Sequence, residues 1–248
     1  MKCVSEFMIQ VPVLKSDELL TKARSMLRDD IFRELYVQNG KRKLLGYIDI
    51  TDVLRVKATK SNVTVEGYVK EAATVRPEDT IEAAMRQIRD HRTDSGAVID
   101  GDSRIIGGVL LSDLFPIIIS KHELRGKVAE YMSGSVVTCT TGDTVQRILS
   151  LIVESGFSAF PVLKKGKLIG ILSRRDLLRE RRLKSSSESP STTTVEGVMT
   201  KTVVTIDPGE EVSRAAELMV KHDISRLPVV KDGRLIGIID RHDVLKGL

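Results

Sequence analysis

Apolar and polar positions along this 248-residue chain recur on a single ruler. The segments VSEFMI from Val4, VEGYVK from Val65, VAEYMS from Val128 and VEGVMT from Val195 resemble one another at spacings of 61, 63 and 67 residues. Further along each unit stand LGYIDITD, IGGVLLSD, IGILSRRD and IGIIDRHD. Their glycines, Gly46, Gly107, Gly170 and Gly237, keep the same three spacings, and so do the closing aspartates Asp52, Asp113, Asp176 and Asp243. Two distant landmarks in step four times define an internal repeat. Valine to glycine is always 42 residues, which places the added length between repeats and not inside them.

The pattern within a repeat predicts a fixed element order. A short apolar strand such as VVTI, Val203 to Ile206, runs into the turn DPGE, and a helix follows with apolar residues at i, i+3, i+4 and i+7. That face is Val212, Ala215, Ala216 and Met219 in repeat four; Val145, Ile148, Leu149 and Ile152 in repeat three; Ile81, Ala84, Met85 and Ile88 in repeat two; and a looser Leu19, Ala23, Met26 in repeat one. Two apolar runs split by turn residues then predict a hairpin, LPVV-KDGR-LIGII in repeat four, FPVL-KKGK-LIGIL in repeat three, with an Asn39-Gly40 turn in repeat one. A second helix opens at the Gly-x-x-(Ser/Asp)-x-x-Asp segment, its first turn acidic and capped. The fold class is therefore α/β (α+β), built from β-α-β-β-α repeats.

Composition narrows the chemistry. Hydrophobic residues make up 41% of the chain and aromatics 4% with no Trp, so the core is aliphatic and a surface of base-stacking rings is not expected. A net charge of +5 suits an anionic ligand without forming a nucleic-acid stripe. Cys3 and Cys139 stand alone, which excludes a CxxC site and a disulfide framework and fits a reducing cytosol. MKCVSEFMIQ carries no targeting pattern, and the most apolar run, Leu114 to Ile119, falls far short of the roughly 20 residues of a membrane span. The expected location is cytoplasmic.

The β-α-β-β-α unit with a G-h-h-S-x-x-D segment at the mouth of its last helix resembles the cystathionine-β-synthase (CBS) domain, in four copies: 1–60, 61–125, 126–184 and 193–248, with a Ser/Thr-rich linker at 185–192. The resemblance implies that 1–125 and 126–248 each pair two repeats sheet on sheet into a Bateman module with two clefts for adenosine-containing ligands. It implies a regulatory sensor of AMP, ADP, ATP, S-adenosylmethionine or methylthioadenosine that signals to a regulated protein and does no bond chemistry, with no catalytic cofactor and no metal. Pairing into a homodimer through the modules is a further expectation; nucleic acid and membrane are not expected partners.

The resemblance also implies site residues, and each has a physical role. A closing aspartate at a helix start can accept both ribose hydroxyls, and charge-assisted bonds of this kind contribute about 1.5–3 kcal/mol. In repeat three the set is Thr138, Cys139, Ser158, Pro161, Ser173, Arg175 and Asp176; in repeat four it is Thr205, Ile206, Asp207, Ser225, Arg226, Pro228, Asp240 and Asp243. Repeats one and two contribute Asp52 and Asp113. The first strand, TIDP in repeat four, would offer backbone groups to adenine, Arg226 would reach phosphate, and free amides of the helix's first turn would complete an anion site. Ser173-x-x-Asp176 is equally a capping box and Asp49 and Asp240 equally N-caps, and both roles can coexist.

The copies are unequal. Repeat three has Ser173 and two arginines but Ala159 in the place of Arg226; repeats one and four carry Asp49 and Asp240 where a hydroxyl is expected; repeat one has Glu34-Leu35 for Ser-Arg; repeat two has Leu110 and Gly96. A carboxylate beside a phosphate repels it. The expected order of ligand occupancy is three, four, one, two. Rival readings are nucleic-acid binding through Arg174–Lys184, an enzyme using the Asp240/Asp243 pair, and a ligand-free scaffold. The basic run is interrupted by Asp176 and Glu180, and no P-loop, nucleophile–His pair or metal cluster stands beside the carboxylates.

Overall fold

A computed structural model describes residues 2–29, 31–56, 62–183 and 193–247; the linker expected at 185–192 and Lys184 lie outside them. The chain divides into two units, Met1–Lys121 and His122–Leu248. In the first, β1 (Val13–Lys15), α1 (Leu20–Asp29), β2 (Glu34–Gln38), β3 (Leu44–Asp49) and α2 (Ile50–Arg55) form repeat one, and β4 (Thr74–Val75), α3 (Ile81–His91), β5 (Ser95–Ile99), β6 (Ile105–Leu110) and α4 (Leu111–Lys121) form repeat two. In the second, α5 (Val128–Tyr131), β7 (Cys139–Thr140), α6 (Val145–Ser155), β8 (Ala159–Lys164), β9 (Lys167–Ser173) and α7 (Arg174–Leu183) are followed by α8 (Val195–Val198), α9 (Val212–Lys221), β10 (Arg226–Lys231), β11 (Arg234–Asp240) and α10 (Arg241–Val244).

Each repeat is a small sheet in which a first strand runs parallel to the first arm of an antiparallel hairpin, in the orders β1-β2-β3, β4-β5-β6 and β7-β8-β9. Repeat four departs: the VVTI strand is reduced to a single parallel bridge, Ile206 to Val229, beside the pair β10-β11. The helix faces of α3, α6 and α9 bury the twelve apolar residues that their periodicity singles out. α1 does not follow its expectation, because it buries Leu20, Ala23, Arg24 and Leu27 while Leu19 is exposed. Arg24 earns a core position through its Nη2, which donates to the carbonyls of Val53 and Val56 at the end of α2.

The opening segment of each repeat is seated on the other repeat of its unit. Val4 N donates to Asp79 O at 2.8 Å and Ile9 exchanges bonds with Gly108, while Val65 N donates to Glu18 O and Lys70 exchanges bonds with Tyr47. The second unit repeats the trade: Val128 N to Glu210 O, Ser133 with Ile238, Val195 N to Asp143 O, Thr200 with Ile171. All four opening valines have no exposed surface, and burying each stabilises by about 1.5–3 kcal/mol. The repeated glycines are where these segments cross. A Cβ on Gly170 would sit 2.7 Å from Met199 Sδ and 3.0 Å from Thr200 O; on Gly237, 2.6 Å from Met132 Sδ; on Gly107, 2.5 Å from Met8 Cγ. The two sheets of the first unit share a core in which Tyr36 and Tyr47 of repeat one pack with Ala72 and Ala97 of repeat two.

Strand register corrects one feature of the sequence alignment. Opposite the last residue of the hairpin stand Glu34 (to Asp49), Ser95 (to Leu110), Ala159 (to Ser173) and Arg226 (to Asp240). The counterparts of Arg226 in repeats one and two are thus Glu34 and Ser95, not Leu35 and Gly96, and Ser225 corresponds to Ser158, Asp94 and Arg33. The amides that open the following helices agree, since Leu111, Arg174 and Arg241 donate to the carbonyls of Asp94, Ser158 and Ser225. The constant 42-residue interval conceals two changes that cancel. The first helix opens one residue later after its valine in repeats three and four, and their hairpins are one residue shorter, two-residue turns with positive φ at Lys165-Gly166 and Asp232-Gly233. In repeat one the left-handed residue is Arg42, not Gly40.

Candidate functional site

The closing aspartates all fall in the first turn of a helix but differ in what already holds them. Asp52 is buried; its Oδ2 accepts from Asp49 N at 2.8 Å and lies 2.7 Å from Lys70 Nζ, which also stands 3.2 Å from Asp49 Oδ2 and 4.9 Å over the Tyr47 ring. Burial, then the Asp49 charge, raises the Asp52 carboxyl above its ordinary range, and Lys70 acts against the rise. Lys70 comes from the exchanged segment of repeat two. Asp243 is likewise buried, with Oδ2 accepting from Asp240 N at 3.1 Å and Oδ1 accepting from Lys246 Nζ at 2.8 Å. Burial first and Asp240 second raise its carboxyl.

Asp176 is held through one oxygen. Its Oδ2 accepts from Ser173 N at 2.8 Å and Ser173 Oγ at 2.6 Å; its Oδ1 has no protein donor among the described residues, and the side chain is half-buried. Asp113 is exposed, its Oδ1 accepting from Ser112 Oγ at 3.0 Å, and Leu110 before α4 has no side-chain acceptor to cap with. Capping boxes are present at Asp49/Asp52 and Asp240/Asp243, and Ser173/Asp176 makes the same reciprocal bonds, with Asp176 N donating to Ser173 Oγ at 3.3 Å. The expectation of free first-turn amides is narrowed by this geometry, since the first and third amides of both helices, Arg174 and Asp176, Arg241 and Asp243, are already bonded within the protein.

The wall formed by the hairpin starts crosses between repeats. Arg226 Nη1 donates to Ser158 Oγ, which joins repeat four to repeat three within the second unit. In the first unit Glu34 fills the matching position and turns inward. Its Oε1 accepts from Asp94 N at 2.7 Å, its Oε2 accepts from Ser95 Oγ at 2.5 Å, and Ser95 Oγ accepts from Tyr36 OH at 2.6 Å. Glu34 is 7% exposed, and burial, reinforced by the Asp94 charge, pushes its carboxyl up to about 8. Arg33 Nη1 stands 3.5 Å from Asp94 Oδ1.

The first-strand residues separate into two kinds. Thr205 and Asp207 are exposed, Asp207 Oδ1 accepting from Gly209 N at 2.8 Å. Ile206 is buried, and both of its backbone groups are already bonded, its N donating to Pro228 O and its O accepting from Val230 N. Cys139 pairs with Val162, its thiol facing Pro161 O at 3.9 Å and pushed up to about 12 by burial. Thr138 lines a separate concavity of about 420 Å³ with Gly134, Val136, Leu163 and residues 234–236, at the hairpin ends of the second unit. Pro161 and Pro228 are buried, Ser225 is half-buried, and Arg175 is half-buried beside Asp176. Sequence reasoning did not single out Lys70, which is supplied across the repeat boundary, and it marked Glu34 only as a departure from the Ser-Arg pair, without the bonds to Asp94 and Ser95 that close it. Among the described residues there is no cluster of potential metal ligands and no helix long and apolar enough to cross a membrane.

The CBS-domain family model matches residues 65–120, 128–182 and 195–248, and the chain belongs to that family. Residues before 65 lie outside the match, although the elements there follow the same order. The protein MJ1225 of Methanocaldococcus jannaschii is 24% identical over 92% of this chain and 91% of its own length. Its crystal structure superposes with a TM-score of 0.82 at 22% identity, covering 99% of both chains. An uncharacterized conserved protein from Pyrococcus horikoshii gives a TM-score of 0.64 over 99% of both chains. The homoserine O-acetyltransferase of Methanococcoides burtonii is 35% identical over 51% of this chain, which spans only 25% of that enzyme.

Proposed function

We propose that this chain is a regulatory sensor of adenosyl ligands, AMP, ADP, ATP or an S-adenosyl compound, with its principal cleft at repeat three, and that it passes occupancy to a regulated partner protein without catalysing a reaction. Family membership supports the class. The observation that carries the site is Asp176, a half-buried closing aspartate fixed through Ser173 whose second oxygen has no protein donor among the described residues. One oxygen holds the helix start through Ser173 while the other accepts a ribose hydroxyl, so capping and recognition coexist in one carboxylate. Ser158, Ser173 and Arg175 complete the proposed repeat-three site, and Thr138, which lines the concavity at the hairpin ends, is left out of it. Repeat four, with Asp240, Asp243, Ser225, Arg226, Pro228 and Thr205, ranks second because Lys246 already engages Asp243. The regulated partner and a homodimer through the CBS modules remain part of the proposal.

Asp176→Ala tests it in the full chain by calorimetric titration of AMP and a melting curve of the free protein. Affinity should fall about tenfold or more with the melting point nearly fixed. A loss of about 1 kcal/mol of stability with affinity unchanged would show that Asp176 is a cap alone. A scaffold reading is favoured for the first unit by a specific observation: Lys70 occupies Asp52 and Glu34 fills the hairpin wall, so its own side chains use the groups a ligand would need. Asp113, exposed in repeat two, is that unit's accessible closing carboxylate.

A further inference from the structure

The hairpins of the first two repeats share a backbone and differ in charge. Asn39 Oδ1 accepts the amides of Lys41 and Lys43 at 2.9 and 3.0 Å, and Asp100 Oδ1 accepts those of Asp102 and Arg104 at 2.9 and 2.8 Å. Arg42 and Ser103 are the left-handed residues, with φ of 64° and 62°. The turn therefore requires the Asx acceptor at its start and leaves the residues between to other purposes. Repeat one uses them for Lys41, Arg42 and Lys43; repeat two carries Asp102, Ser103 and Arg104, with Arg104 paired to Asp102 at 3.0 Å.

The basic hairpin borders a concavity of about 600 Å³ lined by residues 15–17 and 38–40 together with Arg42. Its groups are mostly donors. Among the described residues no ion pair engages Lys15, Lys41, Arg42 or Lys43, and the amides of Asp17 and Gly40 donate to no protein acceptor. The Ser16 hydroxyl and the Asn39 amide nitrogen add neutral donors. Two carboxylates stand close: Asp17 is itself an exposed lining residue, and Glu18 accepts from Lys15 N at 3.0 Å, pairs with Lys22 and also feels the Lys15 charge. A concave surface with two lining cations and unused amides recognises an oxyanion, since charge-assisted bonds to such a guest replace water at every donor. The space exceeds a single phosphate and suits a guest with linked phosphoryl groups.

We infer that this hairpin concavity in repeat one is an anion site for a diphosphate-class oxyanion, apart from the clefts at the helix starts and independent of what those clefts bind. Its location in the segment outside the family match agrees with a feature added to the shared fold. The test titrates inorganic pyrophosphate into the full chain at low ionic strength, following heat and the amide resonances of Asp17 and Gly40. The expected result is saturable binding that moves those two resonances, weakens as salt rises, and drops about tenfold or more in the Lys15→Gln/Arg42→Gln double variant. Arg214→Gln, an exposed change in the other unit at a residue paired with Glu217, should leave it intact. Absence of saturable binding, or binding that the double variant retains at full strength, overturns the site. An AMP titration of the same double variant keeps this outcome separate from the cleft reading, since AMP affinity at repeat three should be unaltered.

Discussion

Replacing Glu34 by Gln isolates the most perturbed carboxyl in the first unit. Buried beneath Ser95 and Tyr36 and facing the Asp94 charge, Glu34 is raised from 4.5 to about 8. A raised folded-state value means the native state keeps a proton that the unfolded chain releases. The stability this contributes is fully present below about 4.5 and is lost as pH rises through 8, at up to about 1.4 kcal/mol per pH unit, on the order of 5 kcal/mol across the window. Gln keeps the volume and the oxygen that accepts from Asp94 N, and it does not titrate. The Ser95 hydroxyl must then turn its proton elsewhere, a cost independent of pH. Urea unfolding of both full-length proteins at pH 5, 6, 7 and 8 should therefore give a stability difference that swings toward the variant as pH rises. Asp52 and Asp243, also raised, cancel in the difference. A difference that stays flat from pH 5 to 8 would show that Glu34 ionises at an ordinary value, and the argument from burial would fail.

Gly170→Ala should destabilise the second unit by about 1–3 kcal/mol in a denaturant titration, because the new methyl meets Met199 Sδ and Thr200 O, whereas Gly67→Ala, with open space at its Cβ, should be close to neutral. A thiol reagent should label Cys3 in the native protein and reach Cys139 only after unfolding, since burial both covers that thiol and pushes it up to about 12; prompt labelling of both would contradict the packing of β7. Asp240→Ser should retain the cap on α10 and raise AMP affinity at repeat four roughly fivefold with adenosine unaffected, measured by calorimetry at two salt concentrations; equal changes for both ligands would assign Asp240 to shape, not charge.

Element types and helix faces were legible because hydrophobic period alone determines them, and α3, α6 and α9 bury the residues that period names. α1 escaped because its fourth core position is an arginine, whose guanidinium is buried by bonding carbonyls and not by being apolar. The hairpin starts were misaligned by one residue because a later helix and a shorter turn offset each other, and only strand register separates the two. The sequence marked the glycines and the opening valines as landmarks, yet their meaning lies across the repeat boundary, where spacing within a repeat carries no signal. The same holds for Lys70, which reaches Asp52 from the next repeat.

The traded opening segments make a two-repeat unit behave like a clasp with two tongues. A repeat made alone would lack the strip that covers its glycine ledge and would carry, unseated, the strip meant for its neighbour; both are sticky surfaces, and each is the complement of the other. Separately produced repeats of one unit should therefore find each other in a mixed solution, and surplus copies of one repeat should interlock with themselves. For anyone dividing this chain for study, the smallest sensible piece is the pair.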